Sequence, residues 1–455
     1  MTSHIIDSTL FQDLFGTAEM RRIFSDASLL QKWLDAESAL AQAEAGLGII
    51  PVEAAEEIVR KAQAELLSQA EIAKGIAETV HPIVPVIRAL ESVCEGEAGQ
   101  YVHWGATTQD IMDTGVVLQL KDALAVIAEQ MDRIERALVE HAVRYKETPM
   151  AGRTHAQHAV PITFGFKAAV WLAEWRRHQE RLNQMKPRLL VGQLSGAAGT
   201  LAGITEKGLE VQADYCRILG LGVPDIAWHT SRDAFAEFCS LLGLIGGTCG
   251  KIAREIITLQ RNEIGELAEP HNEGKVGSST MPHKRNPMLC EAIAALSQII
   301  RGTANTSLFG LVHEHERDMG PWQAEWQYIP EICINTAGCL ELTARVLVGL
   351  EVRPEAMLKN LRLTDGYLCS EALMIRLGEI IGKQRAHDAV YHAAMAAHDE
   401  GIPLVDAVMR SPEISGHLTE AEVRAKLDPT QYLGWAAEFV DRVVAGSVEG
   451  VSTAP

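Results

Sequence analysis

Val116-Val117-Leu118-Gln119-Leu120-Lys121-Asp122-Ala123-Leu124-Ala125-Val126-Ile127 opens a run in which Val116, Leu120, Leu124, Ile127, Met131, Ile134 and Leu138 recur every three or four positions. Side chains at that spacing fall on one face of an α-helix, so the run predicts a long amphipathic helix. The same spacing extends outward in both directions. It predicts helices over Ile23 to Leu47 and from Pro51 through Ile72, with Pro51 at a first-turn position, and further long ones over Pro161 to Asn183, Arg232 to Glu266 and Cys290 to Leu311. The pattern continues from Glu325 through Leu350, breaks at Val352-Arg353-Pro354-Glu355, and resumes from Leu361 to Val444. There is no βαβ alternation, no repeat of fixed period and no low-complexity block. An all-α protein built on one central helix bundle is expected. Gly243, Gly246, Gly247 and Gly250 are poor helix formers inside the Arg232 segment and imply close helix–helix approach, within the chain or between subunits.

The chain has 455 residues, which by length alone favours about two to three domains. Hydrophobic residues make up 47% and aromatic residues only 5%, a helix-leaning globular composition. A formal net charge of −19 argues against nucleic acid or an anionic membrane as partner. The first residues lack a basic stretch followed by an apolar run, and apolar stretches such as Leu241 to Gly247 fall short of a membrane span. A cytoplasmic protein is expected. The eight cysteines have no CxxC spacing, so reduced thiols are expected and neither zinc nor disulfides are indicated.

Four polar clusters interrupt the helices: Tyr101 to Thr114, Arg153 to His158, Gly277 to Pro287, and His313 to Asp318. The third, Gly277-Ser278-Ser279-Thr280-Met281-Pro282-His283-Lys284-Arg285-Asn286-Pro287, combines small residues, hydroxyls, cations and an amide between two prolines. It reads as an anion-binding, mobile active-site loop. Thr107 and Thr108 fit helix capping as well as ligand binding, and Asp110 fits an early-helix acid. His155 and His158 would share a face if their segment were helical, but no third ligand at convincing spacing makes them a metal site. Surface solvation is the plain alternative for Lys284 and Arg285.

Gly277 to Pro287 matches the signature of the fumarase/aspartase superfamily, and the other clusters follow that superfamily's three active-site regions in order. The resemblance spans nearly the whole chain. It implies an all-α homotetramer of three-domain subunits, here 1–112, 113–351 and 352–455, with a central bundle and active sites shared between subunits. It also implies elimination of a group β to a carboxylate, through a carboxylate-stabilised carbanion, without a cofactor or metal. Ser278 then resembles the catalytic base, Lys284 and Asn286 the groups that hold the substrate carboxylate, and Thr107, Thr108 and Gln157 the carboxylate binders of the other regions.

Within the superfamily, Tyr101 to Asp110, His313 to Asp318 and Trp322 to Trp326 look most like the 3-carboxy-cis,cis-muconate cycloisomerase branch. His155 departs from it, standing where those enzymes carry tryptophan and where adenylosuccinate lyases carry a histidine that resembles a general acid. His81 falls near a second histidine of adenylosuccinate lyases. The nucleotide-phosphate grip of those lyases is missing: Leu14 and Phe15 replace an Arg-Tyr pair, and Met319 to Trp326 replaces a Ser-rich, Arg-ending stretch. The expectation is a fumarate-forming lyase acting on a small dicarboxylate, by C–N cleavage of an N-substituted aspartate, with Ser278 as base and His155 as acid. The alternatives are true cycloisomerase activity, adenylosuccinate lyase activity, and a structural protein that kept only the fold.

Overall fold

A computed structural model describes residues 4–11, 14–204, 206–271, 281 and 283–446. Six helices in it exceed twenty residues: α1 (Asp26–Gly46), α2 (Thr108–Arg144), α3 (Phe164–Leu189), α4 (Asp233–Leu259), α5 (Met288–Phe309) and α6 (Met319–Val348). Among the described residues strand is confined to two small antiparallel pairs, β1 (Pro149–Thr154) with β2 (Gln157–Thr163) and β3 (Leu267–Ala268) with β4 (Glu351–Val352). The all-α expectation holds. The chain divides into two compact units, one made of Met1–Asp132, Arg177–Gly250 and Ala292–Leu342, the other of Arg133–Arg176, Lys251–Glu291 and Thr343–Pro455.

In the first unit α1 packs against the Val52–Lys61 and Gly208–Leu219 helices. Ser25 caps α1 by accepting the Ser28 N–H at 3.3 Å, and Leu30, Trp33, Leu34 and Leu40 face a core that includes Ile58, Ile83, Leu90, Ile111 and Tyr215. The expected helix from Pro51 through Ile72 is broken after Lys61 and resumes at Gln69. The cause is a side chain from another helix: Gln31 donates to the Ala62 carbonyl at 3.1 Å and accepts the Ala64 N–H at 2.8 Å, taking over backbone groups that a continuous helix would pair internally. Close approach of helices is also realised here. A Cβ on Gly243 would stand 2.9 Å from Ala304 Cβ, and one on Gly246 3.0 Å from Ile300 Cγ2, so α4 and α5 meet at a separation only glycine allows.

The stripe of α1 that faces this core also carries Glu37 and Glu44, both buried. Neither carboxyl oxygen of Glu44 has a hydrogen-bond partner among the described residues. Burial, and secondarily the Glu37 charge, push its carboxyl from the usual 4.5 up to about 8. The folded state therefore resists an ionisation that the unfolded chain accepts, and this group's contribution to stability is lost as pH rises through about 8. Glu44→Gln cannot ionise. Its unfolding free energy should match the parent's near pH 4 and exceed it above pH 8 by up to about 5 kcal/mol, at about 1.4 kcal/mol per pH unit between the two titrations; denaturant titrations at the two pH values measure the difference.

The second unit packs Leu361, Leu373, Leu377, Ala386, Leu404, Val408, Ile414 and Val423 of its short C-terminal helices into one cluster, with Ala151 of β1 against it. The helical expectation over Pro161 to Asn183 is corrected at its start, because the chain is still β2 through Thr163 and α3 begins at Phe164. Alternation explains it: Pro161 and Thr163 are buried while the β-branched Val160 and Ile162 are half-buried on the other face. By length and composition α4 is able to cross a membrane, although 67% of its most apolar window is buried inside the protein, as in the core helix of a folded domain.

Candidate active site

In the first unit the chain enters α2 through Thr107, and Asp110 organises that entry. Its carboxylate accepts four hydrogen bonds: from Thr107 N at 3.0 Å, Ser195 N at 3.0 Å, Gly196 N at 2.9 Å and His229 Nε2 at 2.8 Å. The Thr107 contact is the reciprocal half of a capping box, and the others tie the helix start to two distant loops. Thr108 is thereby held facing His81, whose Nε2 lies 3.2 Å from Thr108 Oγ1. His81 Nδ1 accepts the Val84 N–H at 3.4 Å, so in the neutral ring the proton sits on Nε2 and is donated to the hydroxyl. With the imidazole N–H given to its oxygen, the Thr108 O–H remains free to donate beside the positive end of a 37-residue helix, an arrangement suited to a carboxylate.

One turn further along α2, Asp113 enters a buried charge cluster. Arg232 NH1 and NH2 donate to its two oxygens at 2.7 and 3.0 Å, while Arg232 also grips both oxygens of Glu325, with Nε at 2.9 Å. Trp322 Nε1 adds a bond to Asp113 at 3.0 Å, and the guanidinium lies 5.1 and 4.7 Å from the ring centres of Trp228 and Phe235. Burial raises the Glu325 carboxyl above the usual range despite Arg232. Sequence reading found none of these pairings. The spacing of Asp110 from Thr107 was a usable capping signal; for His229, Arg232 and Glu325 no local signal exists.

In the second unit His155 and Ala156 form the two-residue turn between β1 and β2, across which Thr154 pairs with Gln157. Their φ values are +51° and +62°, the pair of left-handed residues of a type I′ turn, adopted here without glycine or asparagine. His155 and Gln157 therefore stand together, exposed, at the tip of a hairpin. His158 lies across from Arg153 in the strand pair, so it does not share a helical face with His155; burial and the Arg153 charge hold its pKa below the usual value. Arg153 anchors the hairpin through two bonds, at 2.9 and 2.6 Å, to the fully buried Glu266, which also accepts from Asn360 Nδ2 at 2.8 Å.

Lys284 and Asn286 line a second-unit cavity of about 980 Å³, together with Arg261, His271, His283 and Arg353. Gln260 donates to the Arg285 carbonyl at 3.0 Å, and the Glu269 carboxylate accepts Cys290 N at 2.9 Å at the start of α5, so this segment is tied down from both sides. Arg285 pairs with Glu351 at 3.8 Å. Residues 272–280, with Gly277 and Ser278, lie outside the described residues. The structure thus brings His81 to Thr108, sets His155 beside Gln157, and places Lys284 and Asn286 on one cavity.

A family model described as lyase matches residues 15–302, well over half of the chain. The chain belongs to the fumarase/aspartase family of lyases. A second model, described as adenylosuccinate lyase C-terminus, matches residues 366–443 of this lyase. The enzyme is 43% identical to N-acetyl-S-(2-succino)cysteine lyase of Enterococcus italicus over 98% of both chains. It is 41% identical to 3-carboxy-cis,cis-muconate cycloisomerase of Pseudomonas aeruginosa over 97% of both. Its fold superposes on the crystal structure of fumarate lyase from Mesorhizobium sp. BNC1 with a TM-score of 0.90 at 41% identity, covering 95% of this chain and 98% of that one.

Proposed function

We propose that this lyase removes the heteroatom substituent of a 2-substituted succinate to give fumarate, with an S-(2-succino) thioether as the substrate class. The strongest support is the full-length similarity to a protein named N-acetyl-S-(2-succino)cysteine lyase. Ser278 takes the proton from the carbon next to the departing group's carbon, and the electron pair moves onto the adjacent carboxylate, held by Lys284 and Asn286 with Thr107, Thr108, His81 and Gln157 at the substrate's other polar contacts. The C–S bond then breaks and the thiolate leaves with its electrons. A cytoplasmic homotetramer, with each site completed by residues of neighbouring subunits, belongs to the same proposal.

C–N cleavage of an N-substituted aspartate is the second reading, favoured by the match to the adenylosuccinate lyase C-terminus. His155 separates the two. A thiol has a pKa of about 8.5 and leaves unaided as thiolate, whereas an amine cannot leave without a proton. His155→Ala is therefore expected to cost less than about tenfold in kcat/KM on a thioether and on the order of 10²–10⁴-fold on an amine substrate. Fumarate appearance with stoichiometric thiol release supports the first reading. Turnover of N-substituted aspartates alone selects the second, and lactonisation of carboxymuconate without fumarate-forming turnover overturns both.

A further inference from the structure

Glu266-Leu267-Ala268-Glu269, the span that contains β3, holds two parts of the second unit at once. Both glutamates are buried, Glu266 fully and Glu269 at 3% exposure. Side chains three apart on an extended chain leave on opposite sides, so each carboxylate serves a different neighbour. The span itself is fixed by pairing of Leu267 with Val352 and Ala268 with Glu351, and by Arg353 N donating to the Glu266 carbonyl at 3.0 Å.

Glu266 faces the β1–β2 hairpin. Its two oxygens accept both terminal nitrogens of Arg153, at 2.9 and 2.6 Å, and Asn360 Nδ2 adds a third bond at 2.8 Å. Arg153 lies just before the turn that carries His155. A two-stranded hairpin is marginal by itself, and this one turns on two residues at positive φ without glycine, so its tip keeps its geometry because the stem is held.

Glu269 faces the other way. The helix α5 starts behind Pro287, whose carbonyl accepts the first helical bond from Glu291 N at 2.9 Å but whose ring offers no acceptor to the helix's first N–H groups. The Glu269 carboxylate supplies that cap from outside the helix, accepting Leu289 N at 3.3 Å and Cys290 N at 2.9 Å. Its own N–H goes to Gln260 Oε1 at 2.9 Å, and Gln260 Nε2 donates to the Arg285 carbonyl at 3.0 Å. Lys284 and Asn286 thus belong to a segment held at Arg285 and at Leu289 and Cys290.

We infer that Glu266 and Glu269 are positioning residues of the proposed lyase reaction: Glu266 sets His155 and Gln157 through Arg153, and Glu269 sets Lys284 and Asn286 through the start of α5. The assignment rests on the roles proposed above for those four residues. Glutamine keeps the size of either side chain and turns one acceptor oxygen into a donor that meets Arg153 or a helix N–H head-on. Amide hydrogen exchange of the whole chain, read by mass spectrometry, follows the result without turnover. Glu266→Gln speeds exchange across residues 150–163 and leaves 284–291 as in the parent, and Glu269→Gln does the reverse. A glutamate with a merely structural role loosens both places together, and that outcome overturns the inference. Arg153→Gln, at the more exposed end of its pair, gives the hairpin result should Glu266→Gln fold poorly, and Gln260→Ala, at a half-buried site, gives the other.

Steady-state kinetics divide the same way. Glu269→Gln raises KM and lowers kcat together on whichever 2-substituted succinate is turned over. Glu266→Gln lowers kcat on an amine substrate by about 10–10²-fold, the usual cost of about 1 Å of misplacement, and by at least about fivefold less on a thioether, whose thiolate leaves without a proton. Divided exchange without turnover of any 2-substituted succinate upholds both braces and removes the functional reading alone. Divided exchange with kcat and KM unchanged from an active parent overturns the inference.

Discussion

Arg232→Met is expected to leave the chain largely unfolded at neutral pH. Arg232, Asp113 and Glu325 are each no more than 3% exposed, and one guanidinium serves both carboxylates. Removing it strands two negative charges in the core of the first unit, with the Trp322 N–H the one donor left to Asp113 among the described residues. Breaking a buried pair in this way costs about 3–5 kcal/mol, and here two pairs go at once, against a total stability of about 5–15 kcal/mol for a typical domain. Arg232→Lys keeps the charge but loses the planar fork that reaches four oxygens, so it should fall between parent and Met. The check is denaturant unfolding across pH. The loss in Arg232→Met should shrink in mild acid, where protonation removes the buried negative charge that the missing cation balanced. A triple variant carrying Asp113→Asn and Glu325→Gln as well should recover much of the loss at neutral pH. A Met variant as stable as the parent would mean that the cluster holds nothing together.

That cluster also shows where sequence reading stops. The long helices were legible because burial imposes the spacing seen in α2 and α5, where one face meets the core and every third or fourth residue reports it. Asp113 and Arg232 lie 119 positions apart, and Arg232 and Glu325 lie 93 apart. Nothing local in either helix marks a charge as buried and paired. The β1–β2 hairpin was illegible for a different reason: its turn uses His155 and Ala156 where asparagine or glycine would have announced positive φ. His155 was singled out on chemical grounds, with the conformation of its segment left open, and only the structure shows it at the tip of a hairpin with positive φ. The candidate site was legible as types and order of residues. Its geometry was not, since His81 reaches Thr108 over 27 positions and Asp110 is held by Ser195, Gly196 and His229.

Ser278→Ala should abolish most of the turnover while leaving substrate binding nearly intact. A general base contributes about 10²–10⁴-fold, and loss of the only group assigned to proton abstraction belongs at the upper end, so kcat is expected to fall by at least about 10³-fold. KM should change little, because the carboxylate contacts given to Lys284, Asn286 and Thr108 do not pass through the serine. Lys284→Met gives the opposite signature. It removes a cation that holds the carboxylate in the ground state and stabilises the charge that moves onto it, so KM rises and kcat falls together. Ser279→Ala is the internal control: the neighbouring hydroxyl is not assigned the proton, and its loss should cost under about tenfold, well short of a general base's worth. Steady-state kinetics on a thioether deuterated at the carbon that loses its proton completes the argument. A serine that takes that proton in a rate-limiting step gives a primary isotope effect in the parent, and Ser278→Ala must lose the step rather than merely the substrate. Undiminished kcat in Ser278→Ala would move the base elsewhere and, with it, the reading of the Gly277 to Pro287 segment.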